Sequence, residues 1–356
     1  GMRRARWIVS PKVESLKPVI YHCVSRAVNR EFVFGDVERE QMRMFMRMYE
    51  NFSGNRILSY CLMSNHFHIL LEVTPMPQGG LSDAELLRRL RAIYGEAQVL
   101  EVAAELEDAR KKILSGEANE SLVVAIHARF TYRMHDLSQF MKSFTQRYTQ
   151  WHNRIHQRTG RLWEDRFKSV IVEDGVACKT MAAYIDLNPV RAGIVKEPAE
   201  YRWSSYGEAV GGGAKGNGKK ARSGLVRAMR AHKGVGADAD LWAHDVSREY
   251  RKILLAGAVE KQETRIGKVG ETEVKRTRKG MSAEDAQREN DRLENKLAEI
   301  PYGQMLRCRV RYFTDGAVIG SRAFVNEAFA NARERFGARR KDGARTMRGN
   351  GSGAKG

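Results

Sequence analysis

Met63-Ser64-Asn65-His66-Phe67-His68-Ile69-Leu70-Leu71 is the stretch from which the fold of this chain is read. A strand begins at His66, and side chains two apart on a strand face the same side. Both imidazoles then point one way while Phe67 points into the core. Two imidazoles on one face can hold a divalent cation through neutral ring nitrogens. Two surface histidines on a half-exposed strand have the same spacing, so the triplet alone leaves both readings open. Outward from this stretch, Val19–Val24 (VIYHCV) and Ile57–Met63 (ILSYCLM) are β-rich, with His68–Val73 (HILLEV) as a third run. Between the first two, Asp36–Asn51 places Met42, Phe45, Met46 and Tyr49 on one helical face, with Asp36 as N-cap. Asp136–His152 repeats the pattern with Leu137, Phe140, Met141, Phe144 and Tyr148, and Phe167–Glu173 (FKSVIVE) and Val176–Leu187 read as a fourth strand and a helix. Strands alternating with helices in this order predict an α+β fold with antiparallel pairing.

Charge narrows the function class. The 356 residues carry 62 Lys and Arg against 43 Asp and Glu, a net charge of +19, and such an excess points to a polyanion, with nucleic acid first. Hydrophobic residues make up 42%, enough for a real core. No apolar run approaches the ~18 residues of a membrane span. Cys23, Cys61, Cys178 and Cys308 are far apart and form no CxxC pair, so neither a zinc ribbon nor a disulfide framework is expected and reduced cytoplasmic thiols fit.

Composition also suggests domain limits. Residues 1–210 hold the strand-helix pattern, interrupted near 83–130 by a charged helical stretch that looks like an insertion. Residues 211–224 contain six glycines and four Lys or Arg, which predicts a flexible basic linker region over 211–280. Residues 281–336 read as a smaller helical C-terminal domain: Glu284–Ile300, Gln304–Tyr312, a break at Thr314-Asp315-Gly316, and Ser321–Phe336. That outline suits a helix-turn-helix or an ordinary helical hairpin. Residues 337–356, with six Lys or Arg and one Asp, predict a basic disordered tail.

A second constellation is Tyr184-Ile185-Asp186-Leu187-Asn188-Pro189-Val190-Arg191-Ala192. Tyr184 and Asn188 are four apart and share a helical face. Pro189 disfavours helical geometry at Asn188, so the helix should end there with its amide oxygen available to a hard cation. An Asn-Pro helix stop beside a half-buried tyrosine is the alternative. A tyrosine hydroxyl, with a pKa of about 10, attacks a phosphodiester feasibly only beside a polarising metal.

Several strings in fixed order carry a resemblance. They are Tyr21-His22, Ser25-Arg26 and Arg30 before Phe32-Val33-Phe34; Leu62 to Leu71; Tyr148 to Asn153 (YTQWHN); Gly160 to Ser169 (GRLWEDRFKS); Tyr184 to Ala192 (YIDLNPVRA); and Trp203-Ser204-Ser205. Together they resemble the REP-associated tyrosine transposases, within the single-tyrosine HUH transposase superfamily, over about residues 18–207. The resemblance implies a ferredoxin-like antiparallel sheet with packed helices. It implies His66 and His68 as metal ligands, Asn188 as the polar third ligand and Tyr184 as the nucleophile. Tyr148 is the rival nucleophile, but its apolar stripe argues for packing.

The resemblance further implies a metal-dependent single-strand DNA endonuclease and strand transferase using Mg²⁺ or Mn²⁺. Its substrates would be REP-like DNA hairpins, cut through a 5′-phosphotyrosine in the cytoplasm at the nucleoid by a monomer or homodimer. Arg166 and Lys168 match family positions, and Arg26, Arg30 and Arg161 add cations among Trp163 and Phe167, a mixture suited to single-stranded nucleic acid. The alternatives are a domesticated hairpin-binding protein with little cleavage, or a replication initiator. The second would be expected to carry a helicase domain, and no Walker A motif is present.

Overall fold

The computed structural model describes residues 8, 17–212, 217–230, 239–242, 245–259, 261–266, 272–278, 280–291 and 318–335. The N-terminal elements follow the expected order: β1 (Val19–Arg26), α1 (Asp36–Ser53), β2 (Arg56–Leu62) and β3 (His66–Val73). Three helices then fill the predicted insertion, α2 (Asp83–Leu90), α3 (Glu96–Leu114) and α4 (Ser121–Thr131). α5 (Leu137–Ile155), β4 (Lys168–Val172), α6 (Val176–Asp186) and α7 (Asn188–Arg191) complete the pattern. Further along lie α8 (Ser205–Gly211), α9 (Asn217–Met229), α10 (Asp245–Ala258), β5 (Lys261–Ile266), β6 (Thr272–Arg278), α11 (Ala283–Asp291), β7 (Val318–Ile319) and α12 (Arg322–Asn331).

Leaving out the inserted helices, the first four strands read β-α-β-β-α-β, and the sheet order is β2-β3-β1-β4-β7. This is the ferredoxin-like arrangement expected from sequence, with β7 added parallel to β4 at one edge. The fold is α+β. By contacts the chain divides into two compact units: residues 1–57 with 62–168, and residues 58–61 with 169–356.

In the first unit, β1 and β3 pair antiparallel along their length, from Val19 opposite Val73 to Arg26 opposite His66. β3 is buried after its first residue, so its apolar run Ile69-Leu70-Leu71 meets core on both faces. α1 buries Met42, Phe45, Met46, Tyr49 and Phe52 at helical spacing and packs against α5. Gly35, rather than the expected Asp36, occupies its N-cap position, and Asp36 instead pairs with Arg39 in the first turn at 2.6 Å. α1 ends at Gly54, whose φ of 72° needs glycine; a Cβ there would also lie 2.6 Å from His135 Nε2. α5 starts on Asp136, whose carboxylate accepts from the Gln139 amide at 2.7 Å, and buries Leu137, Phe140, Met141, Phe144 and Tyr148 as expected.

In the second unit α6 is nearly all buried, and α9 and α10 pack on it. The expected linker region spans 211–280. Its described residues form α9, α10 and the β5–β6 hairpin. The glycines and basic residues that suggested a linker hide an apolar stripe: Ala221, Leu225, Val226 and Met229 are all buried. Ser321 caps α12 as expected, its hydroxyl accepting from the Phe324 amide at 3.2 Å. Helix α11 matches the start of the Glu284–Ile300 prediction; residues 292–317, including the first helix of the suggested helix-turn-helix, lie outside the described residues, as does the tail at 337–356. Cys23, Cys61 and Cys178 are buried. No helix among the described residues is long and apolar enough to cross a membrane.

Candidate active site

The alternation of β3 sends His66 and His68 to one face and seats Phe67, fully buried, on the other. On β1 the residues opposite them are Arg26 and Val24, so His22 falls on the same face, diagonally beside His68. His22 Nε2 lies 2.9 Å from His68 Nδ1, and the two rings stack with centroids 5.2 Å apart and planes within 6°. His66 stands edge-on to His68, with centroids 5.0 Å apart.

The turn before β3 sets the chemistry of His66. Asn65 Nδ2 donates to the Arg30 carbonyl at 3.0 Å, which leaves Asn65 Oδ1 as an acceptor 2.7 Å from His66 Nδ1. Since an amide oxygen only accepts, Nδ1 carries the proton and Nε2 keeps its lone pair. A metal-binding histidine is ordinarily oriented in this way, through its other ring nitrogen. In the His22–His68 pair one ring donates and the other accepts.

All three imidazoles are held neutral. Burial pushes His22 down to about 3. It pushes His66 down to about 4, with the positive charge of Arg26 adding to the effect. Burial carries His68 well below the usual imidazole range, with His22, His66 and Arg26 contributing. Neutral imidazoles are the form that ligates. Arg26 itself is exposed at the end of β1, a cation beside the histidine face.

Among the described residues no group of three or more His, Cys, Asp or Glu is arranged to hold a metal ion. His22 does not complete a trio, because its near nitrogen faces His68. A cation held by His66 and His68 would need its further ligands from an amide, water or substrate oxygen. Such a donor set, of imidazole nitrogen plus oxygen, leaves positions open for phosphate oxygens.

In the second unit, Tyr184 lies half-buried on α6, and the Arg191 guanidinium covers its ring 4.9 Å from the centroid. The helix ends earlier than expected, at Asp186, and the chain restarts as α7 at Asn188 with Pro189 in its first turn, where a missing N–H costs nothing. Asn188 Nδ2 donates to the carbonyls of Tyr184 and Ile185, both at 3.1 Å. Its amide oxygen accepts no hydrogen bond from the described residues.

Behind Tyr184, Asp186 is fully buried. Tyr250 on α10 donates to it at 2.6 Å and the Tyr206 amide on α8 at 3.0 Å. Burial raises its carboxyl to about 7, against the lowering effect of these hydrogen bonds. Sequence reading passed over this residue.

Tyr148, the rival nucleophile, is fully buried on α5 among Phe34, Trp151, His152 and Trp163. Its hydroxyl has no hydrogen-bond partner among the described residues, and burial pushes it well above the ordinary phenol range.

The candidate DNA-binding cations lie on exposed chain. Arg30 sits in a 3₁₀ turn with Asn29, both at φ 56°. The strand end at Arg26 is joined to the 163–164 segment, where the Glu164 amide donates to the Arg26 carbonyl at 2.8 Å. Arg166 and Lys168 follow, exposed. Arg161 is turned back on its own loop, donating to the Glu164 carbonyl at 2.8 Å, so part of its guanidinium is occupied. The structure thus brings His66, His68 and Arg26 to one face and adds His22 and Asn65, which sequence reading did not single out. His22 could have been found from the period-two face of β1, and Asn65 only from the turn geometry.

The family model described as "Transposase IS200 like" matches residues 15–82, the segment that carries β1, β2 and β3. This bears out the single-tyrosine transposase resemblance of the motif string over that segment. No curated protein matches the chain. A solved structure of a REP-associated tyrosine transposase bound to a REP hairpin is 12% identical, with a TM-score of 0.35, over 61% of this chain and 90% of that one.

Proposed function

We propose, on the premise that residues 15–82 are similar to the IS200-like transposases, that this protein is a transposase-type single-strand DNA endonuclease and strand transferase. The observation that carries the reading is the paired, neutral His66 and His68, with Asn65 holding the proton on His66 Nδ1. His66 and His68 would hold a divalent cation, Mg²⁺ or Mn²⁺, and the motif string gives Asn188 as the third ligand. When bound, such a cation supplies Lewis-acid polarisation of a phosphodiester.

The chain's own residues do the rest. Arg26 adds positive charge at the histidine face, and Arg30, Arg166 and Lys168 engage neighbouring phosphates. Tyr184 Oη forms a new P–O bond as the bond from phosphorus to the 3′ oxygen breaks. The phenolic proton passes to solvent, and the departing oxygen leaves as a 3′-hydroxyl. The product is a 5′-phosphotyrosine, which retains the phosphodiester bond energy. Attack by a 3′-hydroxyl then reverses the step and joins strands without ATP. The motif string supports a foldback DNA hairpin of REP-like type as substrate.

The test uses the full chain and labelled single-stranded hairpins. His66→Ala and His68→Ala should abolish nicking while leaving hairpin binding largely intact, and EDTA should do the same to the wild-type protein. Nicking that persists undiminished in EDTA would overturn the reading.

A further inference from the structure

Phe32 is 82% exposed, an unusual place for a phenylalanine that the surrounding chain holds firmly. Its loop is tied down on both sides. Ala27 N donates to the Asn65 carbonyl at 2.8 Å, Val28 N to the Leu162 carbonyl at 2.9 Å, and Phe34 N to the Ser64 carbonyl at 2.9 Å. Phe34 is buried, with its ring 5.8 Å from Tyr148 and 5.7 Å from Trp163. The left-handed pair Asn29 and Arg30 reverses the chain just before Phe32, and the Arg30 carbonyl is held by Asn65. A large apolar ring is therefore displayed on a braced loop beside an exposed cation. The bracing residue, Asn65, also orients His66.

We infer that Phe32 is a stacking platform for an unpaired nucleobase of the bound single strand, with Arg30 on an adjoining phosphate. The inference rests on the reading of single-stranded DNA as partner and deepens it by naming a residue that holds the strand. The net charge of +19 supplies the attraction for a polyanion. A base has a π-face that pairs with an exposed aromatic whatever its sequence, so the platform favours unpaired over duplex DNA. An apolar protein partner would find a single ring flanked by the charged Arg30 and Glu31, not an apolar surface.

The experiment is anisotropy with fluorescein-labelled poly(dT), at low salt, on the full chain. Phe32→Ala should weaken binding by about 5- to 100-fold, the range for losing one base–aromatic stack. Phe32→Trp and Phe32→Tyr should restore affinity, whereas Phe32→Leu, apolar but without a π-face, should not. Abasic sites in the oligonucleotide should weaken the wild-type protein and leave Phe32→Ala nearly unaffected. If the wild-type protein binds and Phe32→Ala or Phe32→Leu binds equally well, the platform is refuted and the proposed function stands. If instead the wild-type protein ignores every single strand, the proposed function falls and this inference with it. A change in oligomeric state in Phe32→Ala, with unchanged DNA affinity, would assign the ring to a contact between copies and overturn the inference.

Discussion

Asp186→Asn tests how the helix that carries Tyr184 is held. Asp186 is fully buried, accepts from Tyr250 and the Tyr206 amide, and has its carboxyl raised from 3.8 to about 7. That is about three units, and at about 1.4 kcal/mol per unit the ionised form costs about 4 kcal/mol in the folded protein. The sign follows from proton uptake. Between about pH 4 and pH 7 the native state keeps a proton that the unfolded chain has released, so stability falls as pH rises through that window and levels off above it. The stabilising contribution is fully present below the unfolded value. Asparagine has the same shape and does not ionise, so the variant should lose this slope.

The buried histidines His22, His66 and His68 titrate in the opposite sense. Their depressed values make stability fall as pH drops below the unfolded value of about 6.5, and they do so equally in both proteins. The difference between variant and wild type therefore isolates Asp186. Urea midpoints followed by tryptophan fluorescence, at about pH 4 and about pH 8, give that difference. Relative to wild type, Asp186→Asn should gain up to about 4 kcal/mol between the two conditions. Parallel pH profiles for the two proteins would refute the reasoning.

Two further outcomes follow from the same geometry. Asn65→Ala removes the acceptor at 2.7 Å that fixes the His66 proton and should lower Mn²⁺ affinity by about 10- to 100-fold; electron paramagnetic resonance of free Mn²⁺ measures this, and unchanged affinity would contradict the orienting role. Ending the chain at residue 210 removes Leu225, Val226, Met229, Tyr250, Ile253 and Leu254, all buried. Each is worth ~1.5–3 kcal/mol, together on the order of the ~5–15 kcal/mol that holds a domain folded. The truncated chain should therefore lose cooperative urea unfolding of the second unit, and an unchanged midpoint would contradict this.

What could be read from the sequence follows from how local each signal is. His66, Phe67 and His68 alternate within one strand, so their facing was legible from a period of two, as was the burial of Tyr148 from its stripe on α5. The antiparallel register that puts Val24 opposite His68, and so His22 beside it, is nonlocal and left no mark near His66. Asn65 drew no reading of its own, because its hydrogen bonds run to Arg30, 35 residues away, and to a side chain. Asp186 read as one more polar residue, since the tyrosine that partners it lies 64 residues on. Composition dominates the reading of 211–224, whereas Ala221, Leu225, Val226 and Met229 recur at helical spacing across its end and are buried on α9.

Attack of Tyr184 on DNA can be measured directly. A single-stranded hairpin is incubated with the protein and Mn²⁺, denatured, and the cross-linked peptide mapped by mass spectrometry. A covalent nucleophile cannot be replaced by a side chain that lacks the attacking atom. An adduct should form on Tyr184, and Tyr184→Phe should abolish it while hairpin binding and the urea midpoint are retained. Tyr148→Phe, which removes only a buried hydroxyl without a partner, should keep the adduct. An adduct on Tyr148, or efficient nicking with no adduct at all, would contradict attack by Tyr184.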